Sequence, residues 1–408
     1  MKQLQVLDLF AGAGGISLGF HRAGFHTAVA IDHSAYAVET LQGNFSEQGT
    51  TSLLRDLASF GPSDLAYHLK RIGQPAAFDV IAGGPPCQGW SSVGRGKMRS
   101  LRTPGGRRQE DADPRNELYK RFLEYVHYFR PAVALMENVP GMLSHNRRNV
   151  ADRVAQSLRD IGYEVTWKLV TASDYGVPQE RQRLIFVGIR KDLDLKFEFP
   201  ETHSARGKRL FPEVTVRDAI GDLPIIRNGS MEWVRPYQSK LSEISAYARL
   251  MRKGADPKAI FDHVCRNQNE QDLEAFRFLP EGGRYIDLPK RLKRYRDDIF
   301  KDKYKKLRWN SPSWTVTAHL SKDCYTHIHP SQTRTISIRE AARLQSFPDC
   351  FYFAGPMGSK FQLIGNAVPP LLASTIATAI REQVFEVAPS HQLRLSPCAN
   401  KPLELSVS

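Results

Sequence analysis

Short apolar runs alternate with amphipathic stretches through the first half of the chain. Leu4 to Phe10 is apolar and β-like; it runs into Ala-Gly-Ala-Gly-Gly and continues as a helical pattern through Ile16, Leu18 and Phe20. Thr27 to Ile31 reads as a second short buried strand closed by Asp32, and Ala35 to Phe45 as a helix. Phe78 to Ala82 is a third strand. From Asn116 to Phe129 the apolar residues Leu118, Phe122, Tyr125 and Phe129 recur at steps of three and four with charges between them, which is the pattern of an amphipathic helix. Pro131 follows, then a strand from Ala132 to Met136. Tyr163, Val165, Trp167 and Leu169 alternate, and Leu184 to Ile189 is another apolar strand. Strand–helix alternation of this kind predicts an α/β fold with a mostly parallel sheet covered on both faces.

The pattern changes near Phe211. From there to about Pro330 the periodicity is patchy, and basic clusters such as Arg291-Leu292-Lys293-Arg294 and Lys301 to Arg308 mix with aromatic residues, which suggests a second domain. A helix returns in Ser-Ile-Arg-Glu-Ala-Ala-Arg-Leu-Gln-Ser-Phe after Arg334, followed by Gly365-Asn366-Ala367-Val368-Pro369-Pro370 and an apolar helix from Leu371 to Val384. Residues 387–408 read as a flexible tail.

With 408 residues, 41% of them hydrophobic, the chain can bury a sizeable core. It shows no secretory leader and no apolar run near the ~20 residues of a membrane span, so a cytoplasmic protein is expected. Five cysteines, none paired at CxxC spacing, argue against a disulfide framework or a metal site. The net charge of +14 suits a polyanionic partner as well as a solvated basic surface.

Two strand ends carry candidate chemistry. Asp8 to Gly15 (Asp-Leu-Phe-Ala-Gly-Ala-Gly-Gly) is a strand, a glycine turn and a helix start, where the backbone can approach a ligand closely. Asp32 follows Gly12 by twenty residues, the place of a ribose-binding acid in nucleotide-binding α/β folds, and Asp56 offers a contact from the next loop. These features leave a nicotinamide dinucleotide and S-adenosylmethionine both open, although Gly-Ala-Gly-Gly departs from GxGxxG. At the other strand end, Gly-Gly-Pro-Pro-Cys-Gln-Gly-Trp-Ser-Ser (Gly83 to Ser92) sets Cys87 behind Pro85 and Pro86, whose rings stiffen the turn. A lone cysteine is most often a small buried hydrophobe. Here, however, Glu137 in Met-Glu-Asn-Val-Pro also ends a buried strand, and Gln-Glu-Arg-Gln-Arg places Arg181 and Arg183 on one face of an extended segment. A thiol, a carboxyl and a guanidinium could therefore converge near the glycine turn.

Taken in order, Phe-Ala-Gly-Ala-Gly-Gly, Gly-Gly-Pro-Pro-Cys-Gln-Gly-Trp-Ser, Glu-Asn-Val-Pro-Gly, Gln-Glu-Arg-Gln-Arg, Arg-Glu-Ala-Ala-Arg-Leu-Gln-Ser-Phe-Pro-Asp and Gly-Asn-Ala-Val-Pro-Pro resemble the DNA (cytosine-5) methyltransferase family of the prokaryotic restriction–modification type. The resemblance implies a Rossmann-like, S-adenosylmethionine-dependent methyltransferase domain with a smaller inserted target-recognition domain. On that pattern residues 1–213 and 334–386 form the catalytic domain and residues 214–333 the recognition domain. Cys87 matches the nucleophile that attacks C6 of a flipped cytosine, Glu137 the acid that engages N3 and the exocyclic amine, and Arg181 and Arg183 the arginines that hold the base. Phe10, Gly12, Gly14, Asp32, Asp56, Pro85, Asn366 and Val368 match cofactor contacts. His33 stands where many members carry an apolar or aromatic residue against adenine. The basic stretch Ser91 to Arg108 resembles a lid over the DNA backbone.

The family further implies a monomer on double-stranded DNA, with no metal, no membrane and no stable complex with any cognate restriction endonuclease that acts on the same site. A related alternative is cytosine-5 methylation of RNA, for Cys324-Tyr325-Thr326 is close to a Cys-Phe-Thr signature of the tRNA-methylating branch. A nicotinamide oxidoreductase would use the glycine turn and Asp32 but leave Cys87, Glu137 and the two arginines without roles. A catalytically dead DNA-binding module would not need them intact.

Overall fold

In a computed structural model, which describes residues 3–86, 117–143, 150–202, 213–295, 303–388 and 393, the apolar runs become β1 (Gln5–Leu9), β2 (His26–Asp32), β3 (Thr51–Leu54), β4 (Val80–Gly83), β5 (Val133–Asn138) and β6 (Tyr163–Thr171). A two-residue strand, β7 (Gln179–Glu180), precedes β8 (Gln182–Arg190). Seven of these form one sheet in the order β3-β2-β1-β4-β5-β8-β6. The first five are parallel, and β8 runs antiparallel to both β5 and β6. Winding proceeds one way from β1 through β2 to β3 and the other way from β1 through β4 to β5. The carboxyl ends of β1 and β4 therefore flank a topological switch point, the crevice where open α/β sheets bind ligands.

Side-chain alternation sorts the two faces of the sheet. Leu7, Leu9, Val29, Ile31, Ile81, Ala134 and Met136 belong to one buried core with residues of three helices, Pro62–Arg71, Leu118–Phe129 and Val150–Asp160. Asp8 points to the opposite face, beneath α1 (Gly15–Arg22), which follows β1 directly. A second helix, α2 (Ala35–Phe45), follows β2 and is capped by the Ser34 hydroxyl. Gly19 lets another helix cross α1 closely, because a β-carbon there would lie 2.4 Å from that of Ala373.

By contact the described residues fall into two compact units. The first comprises Met1–Thr171, Gln182–Pro200 and Ala373–Ser408, the second Ala172–Arg181 and Glu201–Leu372. The second unit has a core of Ala275, Phe276, Leu279, Tyr285, Leu288, Leu292, Tyr304 and Ile328. Beside it the fully buried Asp272 accepts hydrogen bonds from the Tyr304 hydroxyl, the Tyr325 hydroxyl (2.7 Å) and the Arg294 guanidinium (2.6 Å). Among the described residues one helical run, Met357–Phe385, is long and apolar enough to cross a membrane; 72% of its apolar window is buried, and the helix breaks at Ala367–Pro369.

Candidate active site

The turn after β1 is built on left-handed backbone: Phe10 has φ 58°, Gly12 φ 56° and Gly14 φ 82°. The two glycines do different work. A β-carbon on Gly14 would meet Leu41 and Phe45 of α2 at 2.8 Å, so its absence lets α2 pack against the turn. A β-carbon on Gly12 would meet nothing within 4 Å, so this backbone faces open space that a ligand could fill. The Gly12 amide donates to Asp32 Oδ2 at 2.9 Å, which ties the turn to the end of β2. Asp32 Oδ1 accepts from the Ser34 amide at 2.8 Å and lies 3.3 Å from His33 Nδ1. That hydrogen bond raises the pKa of His33, whose side chain is otherwise largely exposed. Asp56 is exposed and its Oδ1 caps a turn by accepting from the Ala58 amide at 2.9 Å. An open glycine turn at a helix start, with carboxylates at the ends of the neighbouring elements, is a donor and acceptor set that fits a nucleoside with its ribose hydroxyls.

Under this turn lies Asp8, fully buried. Its Oδ2 accepts from the Ser17 hydroxyl (2.6 Å) and amide (3.2 Å), so β1 is clamped to the first turn of α1 on either side of the glycines. Burial pushes its carboxyl up to about 7, against the lowering effect of the two Ser17 bonds.

β4 ends beside β1, with Gly83 opposite Leu9. A β-carbon on Gly83 would sit 2.5 Å from the Leu9 carbonyl, so glycine permits this approach at the switch point. The next residues, Gly84, Pro85 and Pro86, lead to Cys87, which lies outside the described residues, as does the basic stretch 91–108. What the turn rests on is clear. A β-carbon on Gly84 would be 3.0 Å from Glu137 Oε2, and Asn138 Nδ2 donates to the buried Pro85 carbonyl at 3.1 Å. Glu137 Oε1 in turn stands 2.7 Å from Arg183 Nε, with both side chains close to 90% buried. The β5–β8 ladder runs through Asn138 opposite Leu184, so Arg183, the second residue of β8, comes just past the end of β5. Acid, guanidinium and the backbone two residues ahead of Cys87 thus form one cluster.

Arg181 and Arg183 have separate partners. Before Arg181 the backbone makes two tight turns, Gln179 N–H to the Val177 carbonyl (2.7 Å) and Arg181 N–H to the Gln179 carbonyl (3.0 Å). The Arg181 guanidinium is buried and donates to the carbonyls of Val316 (2.7 Å) and Gly365 (3.1 Å) in the second unit. In that unit Asn366 is exposed at the end of the helix Met357–Asn366, and Val368 is buried. Among the described residues no group of three or more His, Cys, Asp or Glu side chains could hold a metal ion.

A sequence model of the family described as C-5 cytosine-specific DNA methylase matches residues 4–382, nearly the whole chain. The chain belongs to that family. Its relatives include the type II methyltransferase M1.HphI of Haemophilus parahaemolyticus, 34% identical over 92% of this chain and 86% of the relative. Another is the type II methyltransferase M.DdeI of Desulfomicrobium norvegicum, 32% identical over 92% and 88%. Among solved structures, an E. coli prophage-encoded protein described as a DNA modification methyltransferase superposes with a TM-score of 0.72 at 26% identity, covering 94% of this chain and all of the other. The S. pombe Dnmt2 methyltransferase shares the fold, with a TM-score of 0.52 at 15% identity. The sheet is therefore the Rossmann-like sheet of cytosine-5 methylases, whose general cofactor is S-adenosylmethionine.

Motif reading did not single out two of this methylase's supports. Asn138 was visible beside Glu137 in Glu-Asn-Val-Pro, but nothing local says that its amide holds Pro85. Asp8 was visible as the head of the glycine motif, and a carboxyl at a buried-strand position is itself a signal.

Proposed function

We propose that the protein transfers a methyl group to C5 of cytosine in duplex DNA, within a specific short sequence, through a covalent bond between Cys87 and C6. The observation that carries this reading is the cluster at the carboxyl end of β5: Glu137, paired with Arg183, lies against the Gly84-Pro85 turn that leads into Cys87. C6 of cytosine is a poor electrophile until N3 takes a proton or a strong hydrogen bond. Glu137 engages N3 and the exocyclic amine as the Cys87 thiolate adds, and Arg183 orients Glu137 by a charge-assisted bond. Electron density then accumulates at C5, which becomes the carbon nucleophile. Once C5 carries the methyl group, loss of the C5 proton to water and elimination of the Cys87 thiolate, with Glu137 taking its proton back from N3, give 5-methylcytosine and restore Cys87.

When bound, S-adenosylmethionine supplies an electrophilic methyl group on a sulfonium centre. The residues that would hold it are Phe10, Gly12 and Gly14 of the turn, Asp32 with His33, Asp56, Pro85, and Asn366 with Val368. Stacked bases are out of reach of such a site, so the target must be flipped out, at a cost of a few kcal/mol. Residues 214–333 serve as the recognition domain in this reading, and the +14 net charge favours the phosphate backbone. The type II relatives suggest a role in restriction–modification.

The test is methyl transfer to unmethylated plasmid DNA read by bisulfite sequencing, with Cys87→Ala as control and a tRNA pool in a parallel arm. Protection of one short motif, lost in the variant, is expected. Methylation of the tRNA alone would overturn the DNA assignment in favour of the RNA reading raised by Cys324-Tyr325-Thr326. In the structure Cys324 itself is fully buried and donates to the Leu320 carbonyl at 3.1 Å, and burial pushes its thiol up to about 12.

A further inference from the structure

Buried polar side chains of the second unit converge on one short backbone stretch, residues 364–371. Gln345, just past the helix Ile338–Leu344, donates from Nε2 to the carbonyls of Ile364 (3.0 Å) and Ala367 (2.6 Å). Arg181 donates to the intervening Gly365 carbonyl. Gln179 holds Gln345 itself: its Nε2 donates to Gln345 Oε1 (2.5 Å) and to the Leu344 carbonyl (3.0 Å), and its Oε1 accepts from the Val316 amide (2.8 Å). At the far end Ser346, in the left-handed region with φ 67°, accepts the Leu371 amide on its hydroxyl at 3.1 Å. All four side chains are 0–1% exposed.

The need for these bonds follows from the local sequence. The helix Met357–Asn366 ends here, and the last carbonyls of a helix have no intrahelical partner. Pro369 and Pro370 come next and have no N–H to offer. The stretch is also pressed against its neighbour, since a β-carbon on Gly365 would fall 2.2 Å from the Thr317 carbonyl carbon. Apart from Asn366, residues 364–370 are buried; the Ile364 carbonyl also accepts the Ala367 amide at 3.3 Å, but the Gly365 and Ala367 carbonyls are met by side chains, whose loss leaves a buried acceptor unmet. The side chains that meet this need come from two distant parts of the chain, one of them the Gln-Glu-Arg-Gln-Arg motif.

We propose that Gln179, Arg181, Gln345 and Ser346 are positioning residues for the methyl transfer: they hold the turn Gly365–Val368 in the one conformation that presents Asn366 and Val368 to the cofactor. The proposal rests on the reading of Asn366 and Val368 as cofactor contacts. It gives the two arginines of the motif separate jobs, Arg183 at the acid and Arg181 at the cofactor turn.

The test uses the full-length protein and labelled S-adenosylmethionine, with equilibrium dialysis for affinity and steady-state methyl transfer to DNA for kcat and KM. Gln345→Met keeps the volume and removes both donors. It is expected to raise the cofactor Kd and KM about tenfold, with kcat at saturating cofactor within about threefold of wild type. Phe276→Leu, in the core of the same unit, serves as a control for general destabilisation and should leave cofactor KM unchanged. An unchanged KM in Gln345→Met, or an equal rise in Phe276→Leu, overturns the proposal. Asn366→Ala separates the two layers of inference. If it raises cofactor KM while Gln345→Met does not, only the positioning role falls. If it leaves KM unchanged, the cofactor reading of the turn falls and takes the proposal with it. Should Gln345→Met fail to fold, Ser346→Gly decides, because glycine accepts φ 67° without strain and deletes only the hydroxyl. A rise in cofactor KM supports the proposal, and no change overturns it.

Discussion

Asp8 makes the stability of this protein depend on pH in a direction opposite to that of most carboxylates. Its carboxyl is fully buried and pushed from an ordinary 3.8 to about 7, so the folded state favours the neutral form. A carboxyl whose pKa is raised on folding gives stability that is complete below the unfolded pKa. That stability is lost as pH climbs through the folded value. Between pH 4 and pH 8 the loss from this one group is ~4 kcal/mol, at ~1.36 kcal/mol per pKa unit. Asp8→Asn removes the titration but retains an oxygen that can accept from Ser17. Urea denaturation of both proteins across this range cancels the other titrating groups in the difference. The Asn variant should gain on wild type as pH rises, by several kcal/mol in total, with the change complete by about pH 8. A difference that stays flat within ~1 kcal/mol, or that moves the other way, would refute the assignment of a neutral Asp8 beneath the glycine turn.

Four further outcomes follow. Arg183→Ala strips Glu137 of its 2.7 Å partner and should lower single-turnover methyl transfer roughly 100-fold, with Arg183→Lys intermediate; a variant within threefold of wild type would remove Arg183 from the mechanism. Gly12→Ala should cost ~1 kcal/mol of backbone strain and weaken cofactor binding, since the new methyl enters the open face of the turn. Gly14→Ala adds the 2.8 Å contacts with α2 and should melt several degrees lower than Gly12→Ala; equal melting temperatures would contradict the different roles given to the two glycines. DNA affinity should fall roughly 100-fold or more between ~50 and ~200 mM salt if the basic surface contacts phosphates, and a flat titration would argue that the +14 charge serves solubility only.

The sheet was legible because its central strands are buried on both faces and stand out as apolar runs. Ala35–Phe45 folds over the residues its periodicity marks. β5 extends through Glu137 and Asn138, beyond the apolar run, because its ladder with β8 continues to Asn138. Glu137 and Asn138 are polar, and an apolar pattern necessarily stops short of them. The edge strand β3 and the helix Pro62–Arg71 carried little signal, the first with no fully buried residue and the second with only Leu65 and Leu69 buried. The pairing of Glu137 with Arg183 agrees with the motif order, but the separate partners of the two arginines could not be read from it. A period-two reading puts Arg181 and Arg183 on one face and does not say that Arg183 pairs with Glu137 while Arg181 binds the Val316 and Gly365 carbonyls. Likewise the bond from Gln179 to Gln345 spans 166 residues, and no local pattern marks either end.

The measurement that bears most directly on the covalent mechanism is trapping with 5-fluorocytosine. A duplex carrying the mapped target sequence, with fluorine at C5 of the target base, would be incubated with S-adenosylmethionine and either wild type or Cys87→Ala, then resolved under denaturing conditions. Fluorine cannot leave as the C5 proton does, so the elimination step is blocked. The account predicts a denaturant-resistant protein–DNA complex, attached through Cys87 and one methyl group heavier than protein plus DNA, and none with the variant. Normal methylation of the unmodified duplex with no trapped complex, or a complex that persists in Cys87→Ala, would contradict it.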